Sequence, residues 1–213
     1  MRALANLSIL ATTAAAAAWL YFALSSRAPK IDLDPYAALG AGAAREAAAL
    51  LADKGQVLVV ARDTGRDVNP SVEAELRAFR RALKDHARLA VAIERVRVTP
   101  MLMMATGGGL PPADLIKAIE THKDARAVVL FFALPDLTEP EADTLKGSGV
   151  KVVVVSSLRP GYQRLLEQGA ISLAIVPRAD SPPEGAPRPR NLRERFDQQF
   201  AVLRSRQEIN QAR

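Results

Sequence analysis

The stretch Val57-Leu58-Val59-Val60-Ala61 is the first of several short apolar runs, rich in β-branched residues, that recur along the chain. Each run is nearly continuous in hydrophobicity, which is typical of strands buried on both faces of a sheet. Segments with helical periodicity and turn residues lie between the runs, and this alternation predicts a parallel α/β sheet. The four further strand cores comprise residues 89–93, 127–132, 152–155 and 171–176.

The segments between the strands carry signals of helix ends. Asn69 followed by Pro70 fits an N-cap and the first position of a helix. Thr138 and Glu141 fit a capping box, and Asn191 can cap a last helix. We therefore expect a three-layer α/β fold with a five-stranded parallel sheet, of the doubly wound, Rossmann-like class, preceded by a transmembrane helix.

Composition divides the chain into five segments. They are an anchor or signal sequence (1–25), a linker (26–35), the α/β domain (36–178), a proline-rich linker (179–190) and a C-terminal amphipathic helix (191–213). In the last segment Phe196 and Phe200 have helical spacing. We expect this apolar stripe to pack on its own domain or on a copy of it.

Residues 3–25 contain no charged side chain. The run is long enough to cross a bilayer core, which takes about 20 residues, and aromatic side chains near its end precede Arg27 and Lys30. We expect it to contact lipid in a bacterial inner membrane, with the following domain in the periplasm. The alternative is a cleaved signal peptide, because small residues around Ala23 and Ser25 suit a peptidase.

Composition also excludes several classes of function. The chain has 213 residues, no Cys and two His, which excludes disulfide scaffolds, Cys zinc sites, thiol nucleophiles and histidine-rich metal centres. The net charge of +6 is moderate, and six Phe, three Tyr and one Trp offer few stacking surfaces for bases. We expect no metal, no cofactor and no nucleic-acid partner.

A binding site is expected at the carboxyl ends of the strands, because ligands of open parallel sheets bind at this edge. Carboxylates there can accept hydrogen bonds from ligand hydroxyls, an arginine can pair with an anion, and glycines let backbone amides approach. The predicted ligand-binding residues are Asp63, Thr106, Gly107, Gly108, Asp136, Ser156, Ser157 and Arg178.

No catalytic set is predicted at this edge. His86 and His122 follow helices, which places them at the opposite edge, so Ser156 and Ser157 lack a base for nucleophilic catalysis. We therefore expect a binding or sensory module and not an enzyme. The alternatives are a scaffold that recruits a partner without a ligand and a hydrolase that uses the carboxylates of the edge.

Residues 56–178 resemble one lobe of the type I periplasmic sugar-binding proteins. The resemblance rests on Asn69-Pro70 before the helix of Phe79, on residues 114–129, where a helix leads to a strand, and on the helix, glycine and strand of residues 162–175. It implies small-molecule binding by a module like half of a solute-binding protein. Because members of the family close two lobes on a ligand, it also implies a second copy or a membrane partner.

The uncharged run of residues 3–25 predicts that the full-length protein, expressed in bacteria, stays in the membrane fraction through carbonate washing. A C-terminal tag should be accessible to protease from the periplasm. N-terminal sequencing of the purified protein provides the check, because a sequence that begins near Ser26 would establish cleavage instead.

Overall fold

A computed structural model describes residues 13, 15–21, 31–65, 68–156, 161–179 and 189–204. The chain forms two compact units, residues 1–32 and 33–213. In the first unit, residues 15–21 are helical. None of the described helices is both long and apolar enough to cross a membrane. Residues 1–12, 14 and 22–25 of the predicted anchor, half of the first predicted linker and most of the second lie outside the described residues.

The second unit alternates helices and strands along the chain. Its helices are α1 (Asp34–Leu50), α2 (Pro70–Leu83), α3 (Pro100–Ala105), α4 (Pro112–Thr121), α5 (Glu139–Gly147), α6 (Gln163–Gln168) and α7 (Leu192–Gln199). Its strands are β1 (Gly55–Arg62), β2 (Leu89–Val96), β3 (Ala125–Leu130), β4 (Lys151–Val155), β5 (Leu173–Pro177) and β6 (Phe200–Arg204).

The strands form one sheet in the order β2-β1-β3-β4-β5-β6. The first five strands are parallel, as predicted, and β6 is antiparallel to β5, with Phe200 opposite Pro177 and Arg204 opposite Leu173. The expected count of five strands is therefore wrong, since the described sheet is mixed and has six.

The sixth strand comes from the segment that was predicted as one C-terminal helix over residues 191–213. The helix ends at Gln199, and residues 200–204 are extended. Without this strand, β5 would leave a row of unpaired backbone groups at the edge of the sheet, and β6 covers that row. Residues 205–213 lie outside the described part of the chain.

Helices cover both faces of the sheet, which confirms the three-layer prediction. Alternate residues of each central strand point to opposite faces, so Leu58 and Val60 pack with α4, α5 and α6. Val57 and Val59 instead pack with α1, α2 and α7. The continuous apolar runs in the sequence therefore reflect burial on both faces of the strands.

The predicted helix starts are confirmed by their hydrogen bonds. The Asn69 side chain accepts a hydrogen bond from the backbone N–H of Ser71 (2.9 Å). The backbone N–H of Thr138 donates to the Glu141 carboxylate (2.8 Å), within a complete capping box. Asn191 accepts from the backbone N–H of Glu194 (2.9 Å). These caps satisfy donors that the first turn of a helix leaves unpaired.

Helix α1 is rich in alanine and glycine, and this composition lets neighbouring helices approach it closely. A Cβ atom on Gly40 would lie 2.1 Å from the carbonyl oxygen of Glu75 in α2. A Cβ atom on Gly42 would lie 2.1 Å from the ring of Phe196 in α7. The two glycines therefore set the distances of α2 and α7 from α1.

Replacement of Gly40 by alanine should lower the free energy of unfolding by about 1–3 kcal/mol, because the backbone of α2 must move to admit a methyl group. Gly147→Ala is the matched control, since Gly147 is also helical and has open space around it. That change should be neutral or stabilising by up to about 1 kcal/mol. Urea unfolding of both variants tests this packing, and equal midpoints would contradict it.

Candidate functional site

A cavity of about 230 Å³ lies at the carboxyl ends of the central strands. The order of the strands reverses between β1 and β3, and the crevice at such a point is where open α/β sheets bind ligands. The ends of β1, β3 and β4 contribute lining residues, and α1, α2 and the loop after α3 contribute others. The lining residues are Leu39, Arg62, Glu75, Gly108, Phe131, Phe132, Ala133 and Val155.

Glu75 provides the carboxyl group of this cavity. Its backbone is in direct contact with Gly40, and the neighbouring Leu39 of α1 also lines the cavity. Burial raises the pKa of the Glu75 carboxyl from 4.5 to about 7, because removal from water disfavours the charged form. Within the described part of the chain, no side chain forms an ion pair with it.

Arg62, the last residue of β1, provides the cation of the cavity. Its guanidinium carbon lies 5.9 Å from the centroid of the Phe132 ring, a distance at which cation–π attraction helps to orient the group. Phe131 packs edge-on against Phe79, with ring centroids 6.0 Å apart and an angle of 85°. The cavity therefore combines one carboxyl and one guanidinium group with an aromatic and aliphatic wall.

The predicted glycine loop contributes one residue to the cavity, Gly108. Gly107 (φ +58°) and Gly108 (φ +85°) have left-handed backbone conformations, and their N–H groups donate to carbonyls of the last turn of α3. The Thr106 hydroxyl donates to the carbonyl of Gly109 (2.7 Å). The observed hydrogen bonds of this loop therefore terminate helix α3. Its role in ligand binding stays a prediction.

The two predicted carboxylates lie in the loops after β1 and β3. Asp63 accepts a hydrogen bond from the backbone N–H of Gly65 (2.9 Å), and its other oxygen lies 3.6 Å from Nε of Arg97. These contacts stabilise the loop after β1. Asp136 is exposed. A role of either carboxylate in binding stays a prediction.

Ser156 follows β4 and is buried, with 1% of its surface exposed. It hydrogen-bonds with Tyr162, whose phenol oxygen also accepts from the backbone N–H of Leu134 (3.2 Å). Burial raises the pKa of Tyr162, and the two hydrogen bonds oppose that shift. The Ser156 backbone N–H donates to the carbonyl of Ile175 in β5 (3.0 Å), and Tyr162 links Ser156 to the loop after β3. Ser157 lies outside the described residues.

Arg178 follows β5, where its guanidinium contacts the end of helix α7. Its Nε donates to the carbonyl oxygens of Asp197 (2.7 Å) and Phe200 (3.0 Å). A cation at the C-terminal end of a helix is stabilised by the helix dipole and satisfies carbonyls that the helix leaves free. These contacts hold the turn between α7 and β6, and a contact of Arg178 with a ligand stays a prediction.

The histidines lie where the sequence predicts, after helices that lead to the amino ends of strands. Nδ1 of His86 lies 2.8 Å from the Asp53 carboxylate, and Nε2 of His122 lies 3.1 Å from Glu94. Neither histidine lines the cavity. In the described ranges, no cluster of three or more His, Asp or Glu side chains could hold a metal ion.

The sequence-based list of site residues misses Glu75 and Arg62. The signal for Glu75 was present, because it lies three residues after Val72 and four before Phe79, on the apolar stripe of α2. A carboxylate on a stripe that packs on the core must be partly desolvated. The signal for Arg62 was its position after the first predicted strand, at the edge where the site is expected, although arginine at a strand end is usually solvated.

No family model matches the chain, and no curated protein matches it in sequence. Solved structures match its fold. An arabinose-binding protein from Geobacillus stearothermophilus has 16% identity over 83% of this chain and 62% of its own length, with a TM-score of 0.51. A glucose-galactose binding protein from the same organism has 13% identity over 81% and 60%, also with a TM-score of 0.51.

A sugar-binding protein of a sugar ABC transporter from Bacillus halodurans has 13% identity over 80% of this chain and 62% of its own length, with a TM-score of 0.51. The chain thus spans about three fifths of the length of these three proteins. Identities this low establish the fold alone. The predicted resemblance to part of a periplasmic sugar-binding protein is confirmed at that level.

The raised pKa of Glu75 predicts how stability depends on pH. Because its pKa is about 7 in the folded protein and 4.5 when solvated, the folded state holds the proton more tightly, so stability falls as pH rises between these values. Glu75→Gln cannot ionise. It should therefore melt close to the wild type at pH 4.5 and a few degrees above it at pH 8.

Thermal unfolding from pH 4.5 to 8 measures this difference. Glu120→Gln is the control, because Glu120 is an exposed glutamate of α4 and its loss should leave the pH profile parallel to that of the wild type. A parallel profile for Glu75→Gln as well would mean that the Glu75 carboxyl is fully solvated.

Proposed function

We propose that this chain is a membrane-tethered module that binds a small ligand at the carboxyl edge of its sheet. The observation that carries the proposal is the cavity at the reversal point of the strand order, with Arg62 and Glu75 in its lining. Pockets that hold small molecules combine mostly apolar walls with a few convergent polar groups, and this lining has that composition.

The size of the cavity supports a metabolite rather than a large ligand. At about 230 Å³ it is smaller than the roughly 300–1,000 Å³ of sites for drug-sized molecules. Its walls come from strand ends, from two packed helices and from the loop after α3, so core packing forms most of the site. Gly108 is the predicted edge residue that also lines this cavity.

The three matched structures, all described as sugar-binding proteins, support the same class of function. Binding of a sugar or another small polar molecule is therefore proposed for this chain. Because the chain spans about three fifths of their length, closure on the ligand would need a second surface. A second copy of the chain or a membrane partner is proposed to supply it.

Residues 3–25 would tether this module to a bacterial inner membrane, with the second unit in the periplasm. The absence of charged residues in this run supports the tether. A binding module held at the outer side of that membrane would be exposed to solutes that cross the cell envelope, which fits a sensory role.

One observation favours a docking role instead. Met101 and Met104 of α3 are 81% and 85% exposed, and flexible methionine side chains suit surfaces that contact a partner. The C-terminal stripe does not support that role, because Phe196 is 3% exposed and packs against Gly42 within its own unit.

Thermal-shift screening of the full-length protein against sugars, amino acids and other small polar metabolites tests the binding function. A ligand at 100 times its dissociation constant should stabilise the protein by about 2.7 kcal/mol, or several degrees. Ala133→Leu should abolish that shift because it fills the cavity. Ala113→Leu, at an exposed position of α4, should preserve it.

Two results would contradict the proposal. A shift that survives Ala133→Leu would place the site outside the cavity. A complete lack of stabilising compounds, combined with partner capture that is lost when Met101 and Met104 are changed to glutamine, would support docking instead.

A further inference from the structure

The cavity contains two opposite charges that do not neutralise each other. Glu75 lies on the α2 wall and Arg62 at the end of β1. Among the described residues, neither side chain forms an ion pair with the other or with a third group, and the contact found for the Arg62 guanidinium is the Phe132 ring. Both side chains therefore line the cavity, and neither uses its full hydrogen-bonding capacity within the described part of the chain.

This arrangement discriminates between ligands by charge. A neutral ligand would displace water from both groups without supplying a counter-charge, which is costly for a buried carboxylate. An anion would gain from Arg62 and be repelled by Glu75, and a cation would experience the reverse. A ligand with one positive and one negative group can pair its cation with Glu75 and its anion with Arg62 at the same time.

We propose that the cavity binds a small zwitterion, with its ammonium group on Glu75, its carboxylate on Arg62 and its hydrocarbon part against Phe131, Phe132 and Val155. This inference rests on the proposed binding function and names the ligand class of the same site. The guanidinium has a planar set of N–H donors that matches a carboxylate in two parallel hydrogen bonds. The volume of about 230 Å³ suits a ligand of amino-acid size.

The protonation of Glu75 should make this binding depend on pH. Arg62 is the other charged group among the lining residues, and the residues contributed by α1, β3, β4 and the loop after α3 are uncharged. The ammonium group requires the ionised carboxylate, whose pKa in the free site is about 7. Affinity should therefore rise up to tenfold per pH unit below 7 and level off above it.

Isothermal titration of the full-length protein with matched probes tests the proposal. The zwitterions are L-valine, β-alanine and γ-aminobutyrate. The comparison compounds are 3-methylbutanoate, which lacks the amine of valine, isobutylamine, which lacks its carboxylate, and neutral D-glucose. At pH 8 at least one zwitterion should bind about ten times more tightly than every comparison compound, and at pH 6 its affinity should be about tenfold lower.

Variants at the two walls identify the contacts. Glu75→Gln and Arg62→Gln should each weaken zwitterion binding at least tenfold, and Glu75→Gln should also remove the pH dependence. Arg62→Lys keeps the charge without the planar donors and should give an intermediate affinity. Glu120→Gln and Arg80→Gln, at exposed positions of α4 and α2, should bind as the wild type does.

The outcomes separate this inference from the function on which it rests. If D-glucose or a singly charged compound binds as tightly as the zwitterions and is blocked by Ala133→Leu, the ligand class is wrong and the binding site is right. If no compound of any class binds in a manner sensitive to Ala133→Leu, both proposals fail. Zwitterion binding that is unchanged in Glu75→Gln and Arg62→Gln would also overturn the inference.

Discussion

Direct contact between the backbones of α1 and α2 determines how closely the helices pack on one face of the sheet. No side chain separates the helices where Gly40 meets Glu75, so α1 can lie close to both α2 and the sheet. The buried alanines of α1 fill the same layer as Phe79 and Val59. A helix with larger side chains would be held further from α2, and the close packing on which interior stability depends would be lost.

The same contact explains the chemistry of the cavity. Helix α1 approaches Glu75 closely and contributes Leu39 to the same cavity lining, and burial of the carboxyl group raises its pKa to about 7. A partly buried acid that has no ion-pair partner among the described residues weakens the folded state at neutral pH. Such groups cluster where proteins bind or transform ligands. Close packing by a glycine in α1 thus contributes to the raised pKa of a carboxyl group in α2.

Polar residues at the carboxyl edge of the sheet fall into two groups, those that stabilise loops and helix ends and those that line the cavity. Adjacent strands are about 4.8 Å apart, so Asp63 after β1 and Arg178 after β5, three strands away, are separated by about 14 Å across the sheet. Each is satisfied locally, Asp63 by its own turn and Arg178 by the end of α7. Arg62 and Glu75 instead line one cavity, at the point where the strand order reverses between β1 and β3. They come together because α1 and α2, which lie on the same face of the sheet, meet the strand ends there.

Sequence alone determined the layers, the five parallel strands and the helix starts, because they depend on local signals. Continuous apolar runs such as Val57 to Ala61 require burial on both faces, and caps such as Asn69 act within two or three residues. Tertiary structure decided the rest. The segment after Gln199 has apolar spacing that suits a helix or a strand, and the open edge of β5 made it a strand. Glu75 lines the cavity beside α1 because Gly40, 35 positions earlier, lets the two helices approach closely, and no local pattern reports a contact between residues so far apart in the chain.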